Sequence, residues 1–136
     1  MRAFWLAVVA TLAAGCASTP VPSSNALPVP EHRIFASEYT KAQHGYALLV
    51  VTRDQGLIAG ACAAHLYVDG THVADLHNRE QVRLFVKTGE HIVGVSAKGC
   101  FGGSDQTSVD VTQDKLTLLR IEAELTEGLT IKPSAF

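Results

Sequence analysis

No apolar run in this chain is long enough to cross a bilayer: the longest, Ala3 to Ala14, holds about twelve residues against the ~20 that a spanning helix requires. That predicts a chain that does not span a membrane. Charge is sparse, at 18% of residues, and Lys and Arg stand singly between acidic neighbours. This argues against nucleic acid or an anionic lipid surface as partner, since either needs a clustered basic patch. No Gly-x-Ser-x-Gly elbow occurs, which removes the usual signature of a serine hydrolase. The one glycine-rich stretch, Gly99-Cys100-Phe101-Gly102-Gly103-Ser104, has neither the lysine nor the following helix that phosphate binding wants. Cysteine is scarce too, with three in the chain, and there is no internal repeat.

What is present begins with an ordered N-terminus. One positive charge, Arg2, precedes the apolar stretch, and the small residues Ala13-Ala14-Gly15 lead into Cys16. That is the order of a signal peptide, here residues 1–15. Leu12-Ala13-Ala14-Gly15-Cys16 resembles the lipobox read by the lipoprotein signal peptidase, with Ala13 where leucine is commonest. The resemblance implies cleavage before Cys16 and acylation of its thiol, palmitate among the chains. Three acyl chains at ~0.8 kcal/mol per buried methylene make such anchoring effectively permanent. Ala17 and Ser18 follow in place of the Asp found in many inner-membrane lipoproteins, which favours the periplasmic face of the outer membrane.

Residues 16–31 are rich in Pro, Ser, Ala and Val, with no charge before Glu31. Pro20, Pro22, Pro28 and Pro30 favour extended polyproline II, so this stretch is expected to act as a lipidated flexible tether reaching up to ~45 Å from the bilayer. Residues 32–136, about 105 in number, then form one domain. Without Arg2 the mature chain carries ten Lys and Arg against thirteen Asp and Glu, a net charge near −3.

Hydrophobic periodicity in that domain is two almost throughout, which excludes helix and predicts an all-β fold. Tyr46 to Arg53 (YALLVVTR) is a continuous apolar run, the pattern of a central strand buried on both faces. Cys62, Ala64, Leu66 and Val68 alternate, Asp69-Gly70 follows, and His72 to Leu76 resumes. Asp-Gly between such runs is a strong hairpin signal, because both turn residues must take positive φ. Val82, Leu84 and Val86, then Thr88-Gly89-Glu90, then Val93, Val95 and Ala97 predict a second hairpin. Val109 and Val111, the alternating run Leu119 to Leu125, and Leu129 to Lys132 beyond Gly128 complete about seven or eight strands. Arg33 to His44 fits either a strand or a short helix. The spacing predicts an antiparallel β-sandwich or small barrel.

With Cys16 lipidated, Cys62 and Cys100 remain as an even pair in an oxidising compartment, and a disulfide is expected. In a meander of the four strands from Ala61 to Lys98, both cysteines lie at one end of the sheet. They can bond if the sheet brings their Cα atoms within about 7 Å. Closing that loop of ~39 residues would stabilise the fold by ~4 kcal/mol on the chain-entropy estimate.

Leu66-Tyr67-Val68-Asp69-Gly70, then Val73 and Leu76, Val82, Leu84 and Val86, and Gly89-Glu90-His91-Ile92-Val93-Gly94-Val95 resemble the PEGA-type β-sandwich pattern. In it one strand ends in Val-Asp-Gly and a later one begins after Gly-x-His. Small bacterial outer-membrane lipoproteins of unknown function share this pattern, with an upstream strand ending in arginine as Val51-Thr52-Arg53 does here. The similarity covers roughly residues 46 to 98. It implies a surface-tethered binding or structural module and brings no catalytic residues with it.

Six histidines raise the question of a metal. Strand ligands fall at i and i+2 or across a hairpin, whereas His72 and His77 stand at the two ends of one segment and His65 and His91 on others, with no carboxylate at ligand spacing. No metal site, catalytic group or cofactor is therefore expected, and the disulfide removes the thiols from nucleophilic chemistry. Glu122, Glu124 and Glu127 with Arg120 read as a solvated face. The remaining candidate is a contact loop of Gly99, Phe101, Gly102 and Gly103, since loops on a rigid scaffold commonly carry binding. Together these features predict a non-enzymatic envelope module that binds another envelope protein, with a periplasmic inhibitor or immunity protein acting on a hydrolase as the alternative.

Overall fold

A computed structural model describes residues 18–56, 62–97, 100, 103–124 and 126–135. Among these residues there are nine strands: β1 (Leu27–Pro28), β2 (Tyr46–Arg53), β3 (Ala64–Val68), β4 (Thr71–Leu76), β5 (Glu80–Lys87), β6 (Gly89–Ser96), β7 (Ser104–Val111), β8 (Thr117–Glu124) and β9 (Gly128–Pro133). They form one sheet in the order β1-β5-β2-β8-β9 and another in the order β4-β3-β6-β7. The sheets pack face to face as a sandwich and do not close into a barrel. Their facing sides carry the alternating residues: Leu49, Val51, Val82, Leu84, Leu119 and Ile121 from the first sheet, and Leu66, Val68, Val93, Val95 and Val111 from the second, all essentially dry.

The apolar run of β2 lies in the middle of its sheet, antiparallel to β5 and parallel to β8. From Leu49 to Arg53 every residue is buried, so its second face is covered as well. Asp69 and Gly70 sit at φ +49° and +81°, and Val68 pairs with Thr71 across them, the two-residue turn that the right-handed twist of a hairpin favours.

The second expected hairpin does not form. β5 and β6 belong to different sheets, so the chain arches from one to the other at Thr88. Gly89 takes φ +127°, and the Thr88 N–H donates to the Gly45 carbonyl at the entry to β2 (2.9 Å) instead of closing a turn of its own. The meander is corrected with it. Because β5 leaves for the other sheet, β3 and β6 become direct antiparallel neighbours, with His65 opposite Ser96. Cys62 lies just before the start of β3 and Cys100 just past the end of β6, so adjacency alone brings them together: their Cα atoms are 6.1 Å apart and the disulfide is formed.

Residues 18–31 are not a free tether. Thr19 pairs with Gln55, the Val21 N–H donates to the buried Asp54 carboxylate (3.2 Å), and β1 adds in parallel to the edge of β5. Val21 and Val29 are buried, Val29 within the core itself. Proline is compatible with this because an edge strand leaves one row of N–H positions unused. A stretch packed against the sheet cannot serve as a 45 Å spacer. Residues 33–44 are neither strand nor α-helix: 3₁₀ turns at Glu31–Arg33 and Ser37–Tyr39 flank Ile34, which bridges to Ala74 on β4.

Candidate functional site

The β3–β4 hairpin contains a register shift between Leu66 and Tyr67. On β4 the shift leaves Val73 and Ala74 both buried in succession. In a regular strand, residues 72 and 75 point to opposite faces; the bulge turns them to the same one. Asp75 then lies directly opposite His65 on β3, while His72 is three residues earlier on the same outer face. The Asp75 Oδ1 accepts from His65 Nδ1 at 2.6 Å and from His72 Nε2 at 2.7 Å. The three side chains are 27%, 38% and 19% exposed in the order His65, His72, Asp75, open to solvent but not surrounded by it. One ligand-capable atom from each of the three lies within 4.8 Å of the other two.

Neighbouring side chains hold the cluster in place. The His72 ring lies between Phe35 (centroids 4.7 Å apart) and Tyr67 (5.1 Å, stacked), and meets the His65 ring edge-on at 5.4 Å. Phe35 is brought there by its own N–H, which donates to the Val73 carbonyl at the bulge (2.8 Å). The Asp75 carbonyl accepts from Arg33 Nη1 (3.1 Å), and Arg33 in turn forks onto Glu80 at 2.6 and 2.5 Å. Burial raises the Asp75 pKa most strongly, but the two imidazoles outweigh it and leave the carboxyl below its ordinary value.

The sequence expectation that no carboxylate joins the histidines is therefore overturned for His65 and His72. The bulge is the reason: strict alternation assigns His72 and Asp75 to opposite faces. His77 lies at the far end of β4, where its backbone N–H donates to Glu80 (2.7 Å) and its side chain is exposed. His91 makes a separate pair, Nδ1 to Asp69 Oδ2 at 2.6 Å and Nε2 to the Lys87 carbonyl at 2.5 Å. Burial of that ring depresses its pKa most, yet the bonds to Asp69 and Lys87 together raise it above 6.5. For Asp69, burial pushes upward, and the bonds from His91 and the Ile92 N–H more than reverse it.

Arg53 and the Arg120 face take partners that alternation along the strands does not reveal. Arg53 is only 2% exposed, and its Nη1 donates to the carbonyls of Cys62 (2.5 Å) and Leu76 (2.7 Å). Burial lowers its pKa, with the Glu80 carboxylate acting against that. The expected acidic face is in fact an ion-paired chain: Arg120 bonds the buried Asp54 and Glu122 (3.0 Å), and Glu122 bonds Lys132 (2.5 Å). Glu124 is half-buried, and Glu127 belongs to the exposed turn before β9 and not to the strand face.

Of the expected contact loop, Gly99, Phe101 and Gly102 lie outside the described residues, as does Cys16. Gly103 is described, at φ +86°, and a Cβ built there would come within 3.0 Å of the Glu127 carbonyl. Its glycine is thus required by close packing against the β8–β9 turn. An open groove of about 560 Å³ runs between the docked N-terminal segment and β5, lined by Pro28, Val29, Ile34, Gln81 and Arg83 among others.

No family model, curated protein or solved structure matches this chain. The functional reading accordingly rests on the residues themselves.

Proposed function

We propose that this chain is an exported lipoprotein, anchored by lipid on Cys16 at the periplasmic face of the outer membrane, whose sandwich serves as a non-enzymatic binding or structural module for another envelope protein. The observation that carries the reading is the Cys62–Cys100 disulfide, taken with residues 1–15, whose sequence reads as a leader cut before Cys16. Structural disulfides persist in oxidising compartments, so the staple and the leader point to the same address independently. The PEGA-like pattern of residues 46 to 98 supports a binding or scaffolding role, and the groove beside β5, with Leu27 half-exposed near it, offers a contact surface.

Two measurements test the two halves. Cells fed labelled palmitate should label the native chain and not the Cys16→Ser variant, which should move from the membrane to another fraction. An unlabelled native chain removes the anchor. Cross-linking in intact envelopes followed by capture of the chain should recover one recurring protein partner; recovery of none counts against the module.

A further inference from the structure

We propose that His65, His72 and Asp75 form a binding site for a borderline divalent transition-metal ion, zinc foremost, on the outer face of the β3–β4 hairpin. The reading is independent of the lipid anchor and of any protein partner. Its basis is convergence: the hairpin register sets Asp75 opposite His65, and the bulge at Val73-Ala74 swings His72 onto the same side. Two imidazole nitrogens and a carboxylate oxygen then lie within 4.8 Å of one another.

The donor set selects the ion. Two imidazoles and one carboxylate suit zinc, copper or nickel, whereas calcium and magnesium want oxygen throughout. Zinc bound at 2.0–2.1 Å in a tetrahedron needs its ligand atoms about 3.3 Å apart, so each histidine–aspartate bond has to open by about 0.7 Å. Small rotations of the partly exposed Asp75 carboxylate and His65 ring supply that much, with the His72 ring held in place. Three protein ligands leave a fourth position facing solvent, for water or a donor on another molecule.

The surroundings suit a cation. Asp75 carries the site's own negative charge, and the nearest guanidinium, that of Arg33, is already engaged by both oxygens of Glu80. Packing of the His72 ring between Phe35 and Tyr67 restricts its rotation, which lowers the ordering cost of ligation.

The test is zinc titration of the purified full-length chain in detergent, followed by calorimetry and by nitrogen-detected imidazole spectra. One equivalent should bind, with changes confined to His65, coordinated through Nδ1, and His72, coordinated through Nε2. Cobalt in place of zinc should give the strong visible bands of a four-coordinate site. His65→Gln, His72→Gln and Asp75→Asn should each weaken binding roughly tenfold or more, while His44→Gln, on an exposed turn, should leave it unchanged. Unfolding curves of each variant establish that the sandwich persists; should one fail to fold, the ring spectra of the native chain decide alone. No binding at one equivalent, binding undiminished in the His65→Gln/His72→Gln double variant, or equal perturbation of all histidine rings overturns the proposal.

Discussion

Arg53 ends β2, buried from Leu49 onward, and its guanidinium replaces water for two carbonyls, those of Cys62 and Leu76. One cation thereby links the end of β2 in one sheet to the disulfide loop and to the end of β4 in the other. Replacing it by methionine keeps the volume but strands both carbonyls away from solvent. We expect Arg53→Met to cost about 3 kcal/mol in urea unfolding; a loss below 1 kcal/mol would show that these carbonyls find other partners. His91 and Asp69 act at the same scale but with a pH signature. The His91 pKa is raised above 6.5, so its contribution is complete below that value and is lost as pH rises through the raised one. The Asp69 pKa is lowered from 3.8, so its contribution is complete above that value and is lost as pH falls through the lowered one. The pair therefore contributes most between these limits. Asp69→Asn keeps a residue that tolerates the left-handed turn and removes the charge. Its side chain is half-exposed, so the deficit should be only about 0.5 kcal/mol at pH 5. That deficit should shrink at pH 8.5, and a deficit that grows there contradicts the assignment.

At the scale of elements, the strands were legible because burial on one face imposes period two, which β3, β5 and β8 follow closely, while β2 declared itself by an unbroken apolar run. The arch between β5 and β6 was not. Val82 to Val86 and Val93 to Ala97 point at the core whether the chain turns back within one sheet or crosses to the other, so alternation is silent on the choice. The histidine–aspartate cluster was hidden for a related reason, since a bulge breaks the period by which faces are assigned. The N-terminal stretch misled through composition: proline and serine suggested a solvated tether, while Val21 and Val29 supplied enough apolar surface to dock it on an edge where proline is tolerated. This docking has a direct check. Val29→Ala should destabilise the fold by about 2 kcal/mol, the transfer energy of two buried carbons with a small cavity, and a free tether would show no effect. The amides of Thr19, Leu27 and Val29, which donate to Gln55, Arg79 and Gln81, should exchange with solvent far more slowly than those of an unstructured segment.

For the whole molecule, the Cys62–Cys100 bond clamps the open end of the β3–β6 pair across 38 residues of sequence. A domain of this size is stable by 5–15 kcal/mol in general, so removing a cross-link of ~4 kcal/mol should bring it near its limit. The double Cys62→Ala/Cys100→Ala variant should unfold at markedly lower urea, and equal midpoints with the native chain would mean the staple is redundant. The docked segment also alters the geometry of anchoring. If Cys16 carries lipid as proposed, Thr19 is already paired to Gln55, and the intervening chain can extend only about 10 Å at ~3.4 Å per residue. The sandwich is then held against the bilayer by the end that carries Gln55 and Asp54, and not displayed at the ~45 Å that a polyproline spacer would reach. Neutron reflectometry of the lipidated chain on a supported bilayer distinguishes the two. Protein density beginning within about 10 Å of the headgroups agrees with the docked segment, whereas a hydrated gap of several tens of ångströms would mean that residues 18–31 detach at the membrane.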